Sequence, residues 1–192
     1  MKDVIILGAS GNIAGHVIDI LVKKDDVHLT LFLRNARRLR INGVSKCRIV
    51  EGDVLNYVQL KDAVAGQDIV YANLSGDLEA MAKNIVKAMD ETGVKKLIFI
   101  SSIGIYDIAL KPVLKPYRKA ADVIEASDLE YTILRPTWFT SADEVDYETT
   151  RKGEPEKGSV ISQKSLATLI TKIIETSEQY TRENLGVNKP NF

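Results

Sequence analysis

A short stretch near the start constrains this chain more than anything after it. Val4-Ile5-Ile6-Leu7 is an apolar run without alternation, Gly8-Ala9-Ser10-Gly11-Asn12-Ile13-Ala14-Gly15 turns on three glycines, and Val17-Ile18-Asp19-Ile20-Leu21-Val22 carries its apolar residues at helical spacing. Strands that are apolar throughout belong to parallel sheets covered on both faces. A glycine turn opening a helix lets backbone N–H groups approach a pyrophosphate at the positive helix end. The order of strand, turn and helix therefore predicts a nicotinamide dinucleotide near residues 8–15, with Gly8, Ser10, Gly11, Asn12 and Ile13 against it. The spacing departs from strict G-x-G-x-x-G, so a plain structural turn is the competing reading. Ala14 is small enough for the close helix–strand contact that a third glycine normally permits.

Further apolar runs follow at 28–33, 47–50, 69–72, 97–101 and 131–134, with helical patterns expected near 12–24, 57–65, 78–92, 116–127 and 163–177. Strands alternating with helices imply an α/β fold: a Rossmann-type doubly wound parallel sheet, helices on both faces, order 3-2-1-4-5-6. At 192 residues the chain suits a single domain. Residues 140–160 turn polar and charged, which reads as a surface excursion, a small C-terminal appendage on the substrate side.

Charge and composition narrow the function by exclusion. Lys plus Arg and Asp plus Glu are 26 each, so the overall field favours neither nucleic acid nor an anionic membrane. No apolar run approaches a membrane span, and the start leaves no room for a signal peptide, so a cytoplasmic location is expected. Cys47 stands alone and reads as an inert strand residue, and two histidines offer no metal-ligand spacing. No metal is expected, and the expected partner is a small-molecule substrate. A charged outer face on the helix expected at 78–92 suits a monomer, with a homodimer still open.

Ligands in such sheets lie beyond the carboxyl ends of the strands. The second strand ends in Arg34, with Arg37 and Arg38 close behind, where an NAD-preferring site usually carries an acid on the ribose 2′-hydroxyl. An arginine there pairs with a 2′-phosphate, which favours NADP over NAD. Past the third strand, Asp53 and Val54 are candidates to accept from and to cover an adenine, Asp53 being equally a helix N-cap. The fourth strand ends in Asn73-Leu74-Ser75, small and polar where backbone must pass close to a cofactor, or simply a capping turn.

The fifth strand ends Ser101-Ser102-Ile103-Gly104-Ile105-Tyr106. Taken with the glycine turn, Asp53-Val54 and Tyr131-Thr132-Ile133-Leu134-Arg135-Pro136, the chain resembles the atypical short-chain dehydrogenases/reductases, more narrowly their NAD(P)H-binding, NmrA-like and flavin-reductase-like members. The resemblance spans nearly the whole chain and implies a Rossmann fold, a bound nicotinamide cofactor, and cofactor contacts from Ser101 and Pro136. Members of the larger family use a serine after this strand, here Ser102 or Ser101, and a Tyr-x-x-x-Lys pair on the next helix. Tyr117 is the candidate tyrosine, but Ala121 stands where the lysine belongs. Lys119 is two residues on, which turns it toward the opposite side of a helix. Tyr117 therefore reads either as a catalytic acid without its helper or as a pocket wall.

Thr137, Trp138 and Phe139 fall near the nicotinamide end, where the aromatics either stack on a planar acceptor or pack under the excursion. Ser162 reads as the N-cap of the last helix. Three functions compete: an NADP(H)-dependent oxidoreductase passing hydride to a flavin or quinone, a noncatalytic NADP-responsive regulator of NmrA-like type, and a sugar-nucleotide epimerase or dehydratase relative. The last is disfavoured because few residues follow Arg135 for a substrate lobe.

Overall fold

The computed structural model describes residues 1–39 and 44–190. Strands β1 (Lys2–Leu7), β2 (Val27–Leu33), β3 (Arg48–Glu51), β4 (Ile69–Ala72), β5 (Lys96–Ile100) and β6 (Glu130–Pro136) alternate with helices α1 (Asn12–Leu21), α2 (Tyr57–Val64), α3 (Leu78–Thr92) and α4 (Lys115–Glu125). After β6 come β7 (Trp138–Thr140), β8 (Glu148–Arg151), β9 (Val160–Ser162), α5 (Gln163–Glu175) and β10 (Glu183–Asn188).

The main sheet runs β3-β2-β1-β4-β5-β6-β10-β8, and all its pairs are parallel except β10 with β8. The first six places match the expected order 3-2-1-4-5-6. The sheet is longer than expected, because β10 and β8 extend it and β7 pairs with β9 in a two-stranded parallel ribbon. Part of the excursion at 140–160 thus belongs to the sheet: Thr150 of β8 is buried. Cys47 precedes β3 instead of lying in it, and burial pushes its thiol up.

Two cores flank the sheet because alternate residues of each strand face opposite ways. Val4 and Ile6 pack toward α1 and α5, and Ile5, Leu7 and Phe32 pack toward α2, α3 and α4. The helices follow from their apolar stripes and caps. In α3, Leu78, Met81, Ala82, Ile85, Ala88 and Met89 form one buried face between the Asp77 N-cap and Gly93 at φ +76°. Asn56 caps α2 and Ser162 caps α5. Among the described residues no helix is long and apolar enough to cross a membrane.

Candidate cofactor site

The glycine turn lies where β1 meets α1, and its glycines answer to β4. At Gly8, with φ +81°, a Cβ would stand 2.2 Å from the backbone oxygen of Asn73. At Gly11 it would stand 2.7 Å from the Asn73 side-chain nitrogen. The Asn73 N–H donates to Leu7 O at 3.0 Å, so the end of β4 is pinned beside the turn. Gly15 has nothing within 4 Å of its Cβ position, whereas Ala14 is fully buried and makes the helix–strand contact.

The start of α1 is built for an anion. α2, α3 and α5 each begin with a side chain accepting from the first turn, but Gly11 caps α1 without one. The first helical bond is Gly15 N to Gly11 O at 2.9 Å, which leaves the N–H groups of Asn12, Ile13 and Ala14 outside the helical ladder. These N–H groups and the helix dipole fit a pyrophosphate. α4 also lacks a side-chain cap, but it is entered through a 3₁₀ turn and Pro116 lies in its first turn.

Beside the turn opens a cleft of about 320 Å³ whose lining includes Gly8, Ser10, Gly11, Arg34, Asp53, Val54, Asn73, Leu74 and Ser75. Nine residues proposed from sequence are thus gathered on one surface. Asn12 lines an adjoining hollow of about 270 Å³ that shares Ser10, Gly11 and Arg38 with the cleft. Ile13 is buried, so only its amide is offered there.

Arg34 and Arg38 are both exposed, both line the cleft, and neither has an ion-pair partner among the described residues. The Asn35 side chain accepts from Arg37 N at 3.0 Å and caps the short turn that presents Arg38. The neighbouring Glu51 carboxylate accepts from Ala36 N at 2.6 Å. The helix N-cap is Asn56, not Asp53. One Asp53 oxygen accepts from Leu55 N at 2.9 Å, which leaves the other for a ligand. Gly52 completes this wall: a Cβ there would lie 2.6 Å from the Phe32 ring.

Toward β5 and β6 the pieces are more dispersed. Ser101, Ser102, Tyr117 and Pro136 line neither hollow. Ser101 is 4% exposed with no hydrogen-bond partner for its hydroxyl among the described residues, and Ser102 Oγ donates to Ile103 O at 3.2 Å. Pro136 is buried, and its carbonyl accepts from Ile103 N at 3.1 Å. Tyr117 packs half-buried on the α4 side of the core. Lys119 donates to Glu79 of α3 at 2.8 Å, and this partner raises its pKa. Trp138 is 79% exposed and Phe139 45%, so packing under the excursion is excluded for them.

Sequence reading missed a buried polar network. Arg135 is 1% exposed; its Nε donates to Asn184 Oδ1 at 2.8 Å, and its guanidinium lies 5.3 Å from the Tyr106 ring centre. Asn184 Nδ2 donates to the Tyr106 hydroxyl at 2.7 Å and to Glu125 at 2.9 Å, and Lys152 donates to Glu125. Burial pulls the Arg135 pKa down and pushes that of Tyr106 up. The arginine just before Pro136 was visible in the sequence, but its partner Asn184 lies on a strand that was not.

The described residues hold no group of His, Cys, Asp or Glu arranged for a metal. An open parallel sheet, a glycine turn pressed against the next strand and an uncapped helix start define a dinucleotide-binding Rossmann protein. A family model described as NAD(P)H-binding matches residues 8–177, and the chain belongs to this NAD(P)H-binding, oxidoreductase-like family. A Rossmann-fold NAD(P)-binding family protein of Shigella flexneri is 49% identical, with a TM-score of 0.93 over 100% of this chain and 95% of that one. A short-chain dehydrogenase/reductase of Veillonella parvula, solved in complex with NADP, is 26% identical, with a TM-score of 0.90 over 99% and 95%. An isoflavone reductase homologue of Nicotiana glauca is 25% identical over 150 residues, which cover 71% of this chain and 48% of the relative. The chain spans about half the length of the curated relatives it matches.

Proposed function

We propose that the protein is an NADPH-dependent oxidoreductase that passes hydride to a small planar acceptor such as a flavin or a quinone. The observation that carries this reading is the pair Arg34 and Arg38, both without ion-pair partners among the described residues, on the cleft that holds the glycine turn and Asp53. Their guanidinium groups suit a 2′-phosphate, while the amides opening α1 suit the pyrophosphate and the free Asp53 oxygen an adenine amino group. A bound nicotinamide supplies the hydride. The chain's own part is to orient donor and acceptor, with exposed Trp138 and Phe139 offering faces on which a planar acceptor stacks. Flavins and quinones take their accompanying proton from water, so such acceptors need no tyrosine–lysine pair. The NADP complex of the Veillonella relative supports the choice of cofactor.

Calorimetric titration with NADPH and NADH tests the reading. Micromolar NADPH binding with clear weakening for NADH is expected, followed by NADPH oxidation with a flavin or quinone. Equal affinity for the two cofactors overturns the arginine assignment. A noncatalytic NADP-responsive regulator is the second reading, favoured by the engagement of Lys119 with Glu79. It prevails if NADPH binds tightly and no acceptor in a flavin, quinone and aldehyde panel is reduced.

A further inference from the structure

Glu156 carries the polar excursion back to the ends of β5 and β6. One carboxylate oxygen of Glu156 ion-pairs with Arg135, whose side chain is 2% exposed. The other accepts the N–H of Gly104 at 2.9 Å, 52 residues away along the chain. Gly104 is buried at φ +79° in the turn that follows β5. Within that turn, Ser101 N donates to Leu134 O at 2.7 Å and Ile103 N to Pro136 O at 3.1 Å, so β6 holds the first part. Gly104 lies beyond the reach of these bonds, and its N–H is held by Glu156 instead. Arg135 in turn is fixed by Asn184 at 2.8 Å and lies over the Tyr106 ring, two residues past Gly104.

We propose that Glu156 is a positioning residue for the acceptor side of the site. It clamps, at Gly104, the far end of the turn that begins with Ser101 and Ser102, where the Ser101 hydroxyl is buried without a partner among the described residues. A charged carboxylate is a strong acceptor for a backbone N–H, and this one is also ion-paired to a guanidinium that donates to Asn184. The proposal rests on reading these strand ends as a hydride-transfer site.

Two double variants isolate the clamp from the ion pair. Arg135→Met with Glu156→Gln and Arg135→Met with Glu156→Met both remove the buried charges, but only the first keeps an oxygen able to accept from Gly104. Amide hydrogen exchange is expected to be roughly tenfold faster at residues 104–106 in the Met/Met variant than in the Met/Gln variant, with residues 4–13 unchanged. NADPH affinity is expected to be equal in both, while kcat with the acceptor falls only in the first-named pair's counterpart, Met/Met. Glu156→Asp, which keeps a charge beside Arg135 but withdraws it by one methylene, reads the same contrast should the Arg135 variants not fold. Equal exchange in the paired variants overturns the clamp. A difference in exchange without a fall in kcat overturns its positioning role. Absence of any turnover in the wild-type protein, with the exchange pattern as expected, overturns the oxidoreductase reading alone.

Discussion

Lys119 and Glu79 meet at 2.8 Å across the packed pair α3 and α4, and that contact accounts for a lysine which the cofactor site does not use. Its ammonium is drawn toward α3, and Ala121, where the helper lysine of a Tyr-x-x-x-Lys pair would stand, is fully buried. Tyr117→Phe is therefore expected to leave the acceptor rate within roughly threefold of wild type in steady-state assays. Ala121→Lys is expected to destabilise by several kcal/mol instead of restoring a dyad, since it buries an unpaired ammonium. A large rate loss in Tyr117→Phe would mean that the tyrosine works without a lysine.

The same contact predicts an acid dependence. Hydrogen bonds from Lys119 and then Lys83 hold the Glu79 carboxyl at about 2, below its ordinary 4.5. A depressed folded-state pKa gives a contribution present above the unfolded value and lost as pH falls through the folded one. The difference in Tm between wild type and Glu79→Gln is expected to be constant above about pH 5 and to shrink between pH 4.5 and 2. Because Glu79 lies at the surface, the difference should be small and should narrow with added salt.

Gly8→Ala places a Cβ 2.2 Å from Asn73 O at φ +81°. The left-handed backbone costs about 1–2 kcal/mol and the overlap about 1–3 kcal/mol more. Calorimetry is expected to show a Tm lowered by about 4–20 °C, together with loss of NADPH binding. Retained binding at wild-type affinity would show that the turn does not touch the cofactor.

Replacing Arg34 or Arg38 by Ala should weaken NADPH roughly 10- to 100-fold each, the worth of one charge-assisted hydrogen bond, and should leave NADH affinity nearly unchanged. Titrations with both cofactors measure the ratio. Parallel weakening of NADPH and NADH would place both side chains on the shared diphosphate instead of a 2′-phosphate.

Much of this arrangement was legible in the sequence, and what was not has a common cause. Strands β1, β2, β4, β5 and β6 read clearly because most of each is buried on both faces and the buried stretches are largely apolar. The residues that line the cleft beside the glycine turn were singled out for a related reason: they lie in short local motifs at strand ends, and each motif carries its own geometry. β10 (Glu183–Asn188) and β8 (Glu148–Arg151) escaped because their sequences, rich in Asn, Thr and Glu, satisfy polar side chains across the sheet. Asn188 donates to Glu148 at 2.8 Å and Asn184 accepts from Arg135, partners 40 and 49 residues distant. No local pattern encodes a bond of that span. Trp138 and Phe139 were open between two readings until their exposure excluded one of them.

The position of β10 between β6 and β8 has a consequence for the order in which the protein can be made. β8 precedes β10 in the chain but pairs in the main sheet with β10 alone. A ribosome therefore releases the glycine turn, the arginine wall and β1 through β6 while β8 still has no neighbour to join. The guanidinium of Arg135 meets its ion-pair partner Glu156 first, but its bond to Asn184 waits until nearly fifty residues later. The cleft beside the glycine turn and the Asn184 network around Arg135 are thus completed at different moments of synthesis, and a nascent chain halted before β10 should hold β1 through β6 without that network.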